Sequence, residues 1–181
     1  MSVSVVVNCI PLLVQQNING SNIFNRSWAE YKVGFNDTRG NFWLGNDLLH
    51  QLTASGRYKL RFDAQKTNGS WYYAEYSSFV VSNEASNYRM QVSGFSGDAG
   101  NAIEPVEPGF LYSDGAMFST YDRDNDQASG GNCATHDGGG FWYKACSYVY
   151  VNSGRGHGVY FTWLGYRGRF YMETSRMWLT C

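Results

Sequence analysis

Three aspartates at alternate positions, followed by two cysteines, mark the part of this sequence best suited to chemistry. Residues 119–146 read STYDRDNDQASGGNCATHDGGGFWYKAC, with acids at Asp122, Asp124 and Asp126. This alternation resembles the start of an EF-hand loop, in which oxygen ligands wrap one calcium ion. That loop needs glycine at its sixth position and glutamate at its twelfth, where this chain has Gln127 and Cys133. Two interpretations stay open at this point, a metal loop of another kind and a solvated acidic turn.

The two cysteines of this stretch suit a disulfide better than a zinc site. Cys133 and Cys146 flank a glycine-rich turn at a spacing that can close a small loop. A zinc site would need closer pairs of ligands, but the chain has no Cys-x-x-Cys, and His50, His136 and His157 lie far apart in sequence.

No motif for catalysis stands out elsewhere. The glycine-rich residues 154–158 have no strand and helix around them as a dinucleotide site requires, so a turn is favoured. Residues 94–98 read GFSGD and lack the last glycine of a hydrolase Gly-x-Ser-x-Gly. Nothing in the sequence places two acids across a cleft for glycoside hydrolysis. We therefore predict a binding protein and not an enzyme.

Length and charge limit the kinds of partner. A chain of 181 residues is expected to form one domain, residues 1–181. Its 14 basic and 15 acidic residues give a net charge of -1, so neither nucleic acid nor acidic lipid is expected as a partner. The apolar N-terminal run is too short to cross a membrane, because Asn8 and Gln15 interrupt it.

Four glycosylation motifs indicate an extracellular protein. The pattern Asn-x-Ser/Thr occurs at Asn19, Asn25, Asn36 and Asn68, each beside turn-type residues. The N-terminus lacks the charged region and cleavage site of a signal peptide, so we expect a secreted glycoprotein whose sequence is incomplete here.

Two short helices are predicted in the first third of the chain. Ser27 and Glu30 form a capping box, in which each side chain satisfies a backbone amide, and this helix must end by Gly34. A second helix is predicted from Asn46 to about Ser55.

Alternating apolar residues predict an antiparallel sheet. Tyr58, Leu60 and Phe62 alternate with polar residues, residues 72–81 repeat the pattern, and Tyr88, Met90 and Val92 repeat it again. Residues 67–70 read as a hairpin turn and residues 169–179 as a last strand. The predicted class is α+β. The stretch 94–168 has little regular pattern, which is typical of functional loops or of loops held by metal and disulfide.

Several segments, taken in order, resemble the fibrinogen C-terminal domain found in ficolins, tachylectins, angiopoietins and tenascins. They read SWAEYKVGF, NFWLGNDLLHQLT, GRYKLRFD, YAEYSSFVV, FSTYDRDND, NCA and FWYKAC. The resemblance covers residues 12–178, and the N-terminal segment of the family is missing. It implies a central antiparallel sheet and an irregular C-terminal subdomain that holds one calcium ion and the ligand pocket. Cys9 and Cys181 stay unassigned.

The resemblance implies a calcium site in the acidic loop. Asp124 and Asp126 would provide carboxylates, and main-chain carbonyls at Ala128 and Gly130 would complete the shell with waters. The loop is one residue longer than usual, which leaves Gly131 as the alternative to Gly130. Hard oxygen ligands of this kind suit calcium at an extracellular affinity of about 0.1–1 mM.

The same resemblance places a ligand pocket beside the two cysteines. Its predicted lining is His136, Asp137, Ala145, Cys146, Ser147, Arg155 and His157. The lectins of the family have pocket tyrosines where this chain has Asp137 and Arg155, which weighs against an acetyl-specific pocket. Fibrinogen has an acidic residue at the position of Asp137, which suits a cationic ligand. Lectin-type members often have Asn or Arg before the second cysteine, in a cis peptide, and His after it, where this chain has Ala145 and Ser147.

The aromatic residues near this pocket have two interpretations. Trp142 is favoured as a core residue, and Tyr143 suits either the core or stacking on a sugar ring. Trp28, Trp43 and Trp71 are predicted core residues.

Two functions follow from the resemblance. The first is calcium-dependent, lectin-like recognition of glycans or acetylated groups in innate defence. The second is binding of a protein ligand or receptor, as in angiopoietins and tenascins. An upstream collagen-like or coiled-coil segment would make either kind of binding oligomeric and multivalent.

Overall fold

A computed structural model of the chain describes residues 10–105, 111–154, 162–165 and 168–181. The α-helices of this part are α1 Trp28–Val33, α2 Asn46–Thr53 and α3 Cys133–Asp137, and two 3-10 helices span Asn22–Phe24 and Glu84–Ser86. The strands are β1 Leu12–Ile18, β2 Phe35–Asn36, β3 Phe42–Trp43, β4 Lys59–Lys66, β5 Trp71–Val81, β6 Met90–Gly97, β7 Phe118–Ser119, β8 Phe141–Trp142, β9 Thr162–Gly165 and β10 Gly168–Thr180. In this part of the chain, no helix is long and apolar enough to span a membrane.

Eight of these strands form one antiparallel sheet, which confirms the predicted class. The strand order is β2-β3-β1-β10-β4-β5-β6, and β9 pairs with the beginning of β10. The last strand in sequence therefore lies in the middle of the sheet, between β1 and β4. The alternation predicted for β4 is present, because Leu60, Phe62 and Ala64 are buried on one face. The prediction of a strand at Tyr88 is wrong, since β6 begins at Met90 and Tyr88 has a φ of 47°.

Both predicted helices are present. Ser27 Oγ accepts a hydrogen bond from the Glu30 amide, and the Glu30 carboxylate accepts one from the Ser27 amide at 2.9 Å. The helix ends at Gly34, which has a φ of 94° and no room for a side chain, because an added Cβ would lie 2.5 Å from the Leu44 carbonyl oxygen. The second helix ends at Thr53, two residues earlier than predicted.

A cluster of aromatic rings joins the sheet to the irregular C-terminal part. The rings of Trp43, Phe118 and Trp142 lie 5.1–5.9 Å apart between centroids. Trp142 is fully buried and Tyr143 is 1% exposed, so both belong to the core. The prediction that Trp71 is a core residue is wrong, because its side chain is 42% exposed and lies beneath the Arg176 guanidinium. Trp71 is the first residue of β5, and its side chain lies on the face of the strand that points away from the core, which explains its exposure.

Tyr31 connects α1 to the glycine-rich segment before β8. Its buried hydroxyl donates to the Phe24 carbonyl at 2.7 Å and accepts from the Gly140 amide at 2.8 Å. We expect Tyr31→Phe to lower the free energy of unfolding by about 2 kcal/mol, because it leaves the buried Gly140 amide without a partner and removes one of the two hydrogen bonds to the Phe24 carbonyl. Urea unfolding would measure this, with Tyr121→Phe, at an exposed tyrosine, as the control. Equal stability of the two variants would contradict the prediction.

Candidate functional site

The first aspartate of the acidic loop has a structural role. Asp122 Oδ1 accepts hydrogen bonds from the backbone amide of Trp28 at 2.9 Å and from Thr120 Oγ1 at 2.7 Å. It therefore satisfies one of the free amides at the start of α1. The next residue, Arg123, stacks on the Trp28 ring at 4.0 Å. Together these contacts fix the beginning of the acidic loop against α1.

The other two aspartates organise the loop itself. Asp126 accepts hydrogen bonds from the amides of Ala128 and Cys133, both at 2.8 Å and each on a different carboxylate oxygen. Asp124 Oδ1 accepts from the Asp126 amide at 3.1 Å, and its side chain faces solvent. Burial raises the pKa of Asp126, and the Asp124 charge adds to this effect, while the two amide hydrogen bonds oppose it. The loop thus brings two carboxylates close together.

The oxygens of this loop fit a hard cation. Within the described residues, no hydrogen bond reaches the carbonyl oxygens of Ala128 or Gly130. The same part of the chain contains no group of three or more His, Cys, Asp or Glu side chains suited to a metal. A cation here would therefore depend on Asp124, Asp126, backbone carbonyls and water, which is a set that suits calcium. Gly131, with a φ of 124°, stays the alternative to Gly130.

A disulfide joins the acidic loop to the segment after β8. Cys133 and Cys146 are bonded, with their Cα atoms 5.4 Å apart, which confirms the predicted pair. The peptide bond between Ala145 and Cys146 is cis. On the same segment the Lys144 carbonyl accepts a hydrogen bond from the Gln127 amide at 2.6 Å. Both ends of the disulfide therefore contact the acidic loop.

A cleft of about 650 Å³ lies beside this disulfide. Its lining consists of Ala128, Gly130, Gly131, Asn132, Cys133, Thr135, His136 and Cys146. Of the seven predicted pocket residues, the lining includes His136 and Cys146.

The described residues among the other five do not line the cleft. Asp137 and Ser147 are 1% and 2% exposed, so both lie beneath the surface. Ser147 Oγ bonds to the Val149 amide and to Ser113. Ala145 is exposed beside the cleft. Arg155 and His157 lie outside the described residues.

His136 and Asp137 form a pair at the edge of the cleft. His136 Nδ1 lies 2.7 Å from Asp137 Oδ1, and the imidazole is 68% exposed. In the described part of the chain, Asp137 Oδ2 has no hydrogen-bond partner. Burial raises the pKa of Asp137 to about 6, and the bond to His136 opposes this rise. Because Asp137 holds Nδ1, a ligand in the cleft would meet Nε2 of His136.

Asp137→Asn is expected to stabilise the fold at neutral pH. A carboxyl group with a raised pKa binds protons more strongly in the folded state, so stability falls as pH rises from about 4 to 6. The shift from 3.8 to about 6 sets an upper limit of roughly 3 kcal/mol above pH 6. Loss of the charged contact with His136 reduces the expected gain to roughly 1–2 kcal/mol.

Urea unfolding at pH 4.5 and 7.5 in the presence of chelator would measure this gain. The variant should gain more stability over the parent at pH 7.5 than at pH 4.5, where the stability loss of the parent has only begun. Glu75→Gln removes a partly exposed charge of β5 that lies 3.8 Å from the Lys59 ammonium, and it is the control. It should change stability by less than about 1 kcal/mol at both pH values. A difference between Asp137→Asn and the parent that does not change with pH would contradict the prediction.

Asn132 is a site residue that the sequence reasoning missed. Its Oδ1 accepts from the Thr135 amide at the start of α3, and its Nδ2 donates to the Thr120 carbonyl. It thus joins the helix that carries His136 to the acidic loop. An asparagine three residues before a threonine is a modest sign of a helix start, and it could have indicated α3.

The chain is similar to known proteins in sequence. Residues 8–180 match the family model described as the C-terminal globular domain of fibrinogen beta and gamma chains. Fibroleukin of Bos taurus is 39% identical over 148 residues, which cover 82% of this chain and 33% of fibroleukin. The chain thus spans about one third of that relative.

Solved structures show the same similarity. The fibrinogen-like globe domain of human ANGPTL6 has a TM-score of 0.81 and 30% identity, covering 93% of this chain and 76% of that one. A lamprey fibrin D-dimer, complexed with the peptide ligand Gly-His-Arg-Pro-amide, has a TM-score of 0.81 and 29% identity. The match covers 93% of this chain and 60% of the lamprey chain.

Proposed function

Because the chain belongs to the family of fibrinogen C-terminal globular domains, we propose that it is an extracellular recognition domain that binds a peptide segment of a protein partner. The binding site is the cleft beside the Cys133–Cys146 disulfide. The observation that carries the proposal is the imidazole of His136, which is exposed in this cleft and held from below by buried Asp137. The disulfide and four glycosylation motifs support the extracellular location.

A peptide suits this cleft better than a sugar ring. Among the described residues that line it, none is Phe, Tyr or Trp, so a large aromatic face for stacking on a sugar is missing. Backbone groups, Asn132, Thr135 and His136 offer hydrogen bonds of the kind that a peptide uses. The lamprey fibrin relative is complexed with a tetrapeptide amide. Lectin-like recognition of glycans or acetylated groups in innate defence stays a prediction.

Calcium is proposed as a stabiliser of the cleft. Two neighbouring carboxylates repel each other, and a divalent cation between them and the loop carbonyls would remove that repulsion. Asp126 also holds the amide of Cys133, which lines the cleft. Calcium would therefore act through the position of the loop and would not need to touch the ligand.

Peptide binding can be tested directly. The first probe is Gly-His-Arg-Pro-amide, followed by a library of tetrapeptides with free or blocked N-termini and by an array of neutral and acetylated glycans. We expect selected peptides to bind and His136→Ala to weaken them about tenfold, as for a central contact residue. Ser129→Ala, at an exposed position of the acidic loop outside the cleft lining, is the control.

The alternatives give distinct results. Binding of glycans without peptides would favour the lectin prediction over the present proposal. Peptide binding that His136→Ala leaves unchanged would move the site away from this cleft.

A further inference from the structure

The four Asn-x-Ser/Thr motifs share a structural property. Asn19, Asn25, Asn36 and Asn68 are all exposed. Several asparagines outside such motifs are instead buried, namely Asn17, Asn41, Asn46, Asn101 and Asn152. A glycan is bulky and solvated, so only an exposed asparagine can carry one in the folded protein. Each motif is therefore compatible with modification.

Asn36 differs from the other three because it lies on a strand, at the edge of the sheet and beside a groove. It lies on β2, the first strand in the sheet order, and pairs with Phe42 on β3. A groove of about 470 Å³ runs beside this edge. Its lining is Val33, Gly34, Phe35, Asn36, Gly40, Asn41, Phe42, Trp43 and Leu44. Val33 in this groove is 70% exposed, which is high for an apolar side chain.

The local turn keeps the rest of the motif accessible. Asp37 closes the turn, since its Oδ1 accepts from the amides of Arg39 and Asn41, both at 2.9 Å. Thr38, which supplies the hydroxyl of the motif, is exposed at the tip of this turn. The carboxylate of Asp37 is thus directed into the turn and leaves the approach to Asn36 and Thr38 open.

We propose that Asn36 carries an N-linked glycan and that the first sugar covers the exposed part of the Phe42 ring, which lies on the same face of the sheet as Asn36. In the modification, the Asn36 amide nitrogen attacks the anomeric carbon of an oligosaccharide attached to a lipid pyrophosphate. A carbon–nitrogen bond forms, the bond from that carbon to the pyrophosphate oxygen breaks, the amide loses one proton, and the lipid pyrophosphate leaves. The co-reactant is this lipid-linked oligosaccharide, and the inference rests on the extracellular location in the proposed function.

The glycan would shield the edge of the sheet from pairing with another chain. An edge strand presents unpaired amides and carbonyls that favour pairing with another chain, and proteins protect such edges by covering them. The apolar face of the first sugar can pack on the Phe42 ring, while its hydroxyls stay in water. The occupant of the groove is thus this chain's own covalent modification.

Secretion from a eukaryotic host with a supplied signal peptide would test the modification. Enzymatic release of N-glycans in isotopically labelled water, followed by peptide mapping, marks each occupied asparagine. We expect a glycan at position 36 in the parent and none at that position in Asn36→Gln or Thr38→Ala. Thr38→Ser keeps the hydroxyl and should keep the glycan, which makes it the matched control. An unmodified Asn36 in secreted, folded parent protein would overturn the proposal.

A second measurement tests coverage of the groove. Hydroxyl-radical labelling of Phe42 should rise severalfold in Thr38→Ala, because this variant never receives the glycan. Phe35 packs against Phe24 and Tyr31, so its labelling should stay the same. Equal labelling of the parent and this variant would overturn the groove assignment. If the groove assignment fails, peptide binding that depends on His136 should still be observed. Failure of the glycan proposal can therefore be told apart from failure of the proposed function.

Discussion

Replacing Asp126 with alanine is expected to abolish calcium binding and to lower the free energy of unfolding by about 3 kcal/mol even in chelator. The metal effect follows from loss of one of the two proposed carboxylate ligands. The stability effect is separate, because the same carboxylate accepts the amides of Ala128 and Cys133. Hydrogen bonds to a charged group contribute more than neutral ones, and this variant loses two.

A comparison with Asp124→Ala separates the two roles. Asp124 is exposed and accepts the amide of Asp126 at 3.1 Å. We therefore expect Asp124→Ala to lose calcium binding as well, but to lose less than about 1 kcal/mol of stability in chelator. Glu75→Gln again controls for removal of one negative charge. Calorimetric titration measures calcium binding, and urea unfolding with and without calcium measures stability. Wild-type calcium uptake by Asp126→Ala would rule out the proposed site.

Local patterns predicted the two helices of the first third and the alternating strands, and failed for the two-residue strands. The capping box at Ser27 and the alternation in β4 are complete within a few neighbouring residues, so the sequence alone specifies them. Strands β7 and β8 have two residues each and pair across 20 or more positions, so they have no period to detect. Their formation depends on the aromatic cluster around Trp142, which forms only when distant segments pack together.

The sequence identified residues of the candidate site, but it did not reveal which of them are buried. Cys133 and Cys146 were paired correctly from their types and spacing. Burial of Asp137 beneath the cleft depends on packing of distant segments, which one sequence does not reveal. The helix contact of Asp122 joins residues 94 positions apart and was likewise hidden. Calcium binding by Asp124 and Asp126 stays a prediction.

Removing the disulfide is expected to destabilise the domain and to weaken calcium binding at the same time. In the chain-entropy model, a bond across this separation of 13 residues stabilises the fold by about 3 kcal/mol. The double variant Cys133→Ser with Cys146→Ser should lose that amount in urea unfolding. Calcium affinity should fall as well, because Asp126 binds the Cys133 amide and Gln127 binds the carbonyl of Lys144, close to Cys146.

A matched double variant identifies the cause of the loss. Cys133 is 1% exposed, so a serine there also buries a hydroxyl, and some destabilisation could arise from that group alone. Cys133→Ala with Cys146→Ala removes the bond without adding a hydroxyl and should still lose about 3 kcal/mol. Variants are preferable to a reducing agent because Cys181 is also disulfide-bonded and would be reduced too. If the alanine pair keeps the stability and the calcium affinity of the parent, the disulfide does not hold the acidic loop. The cleft beside it would then need another source of rigidity.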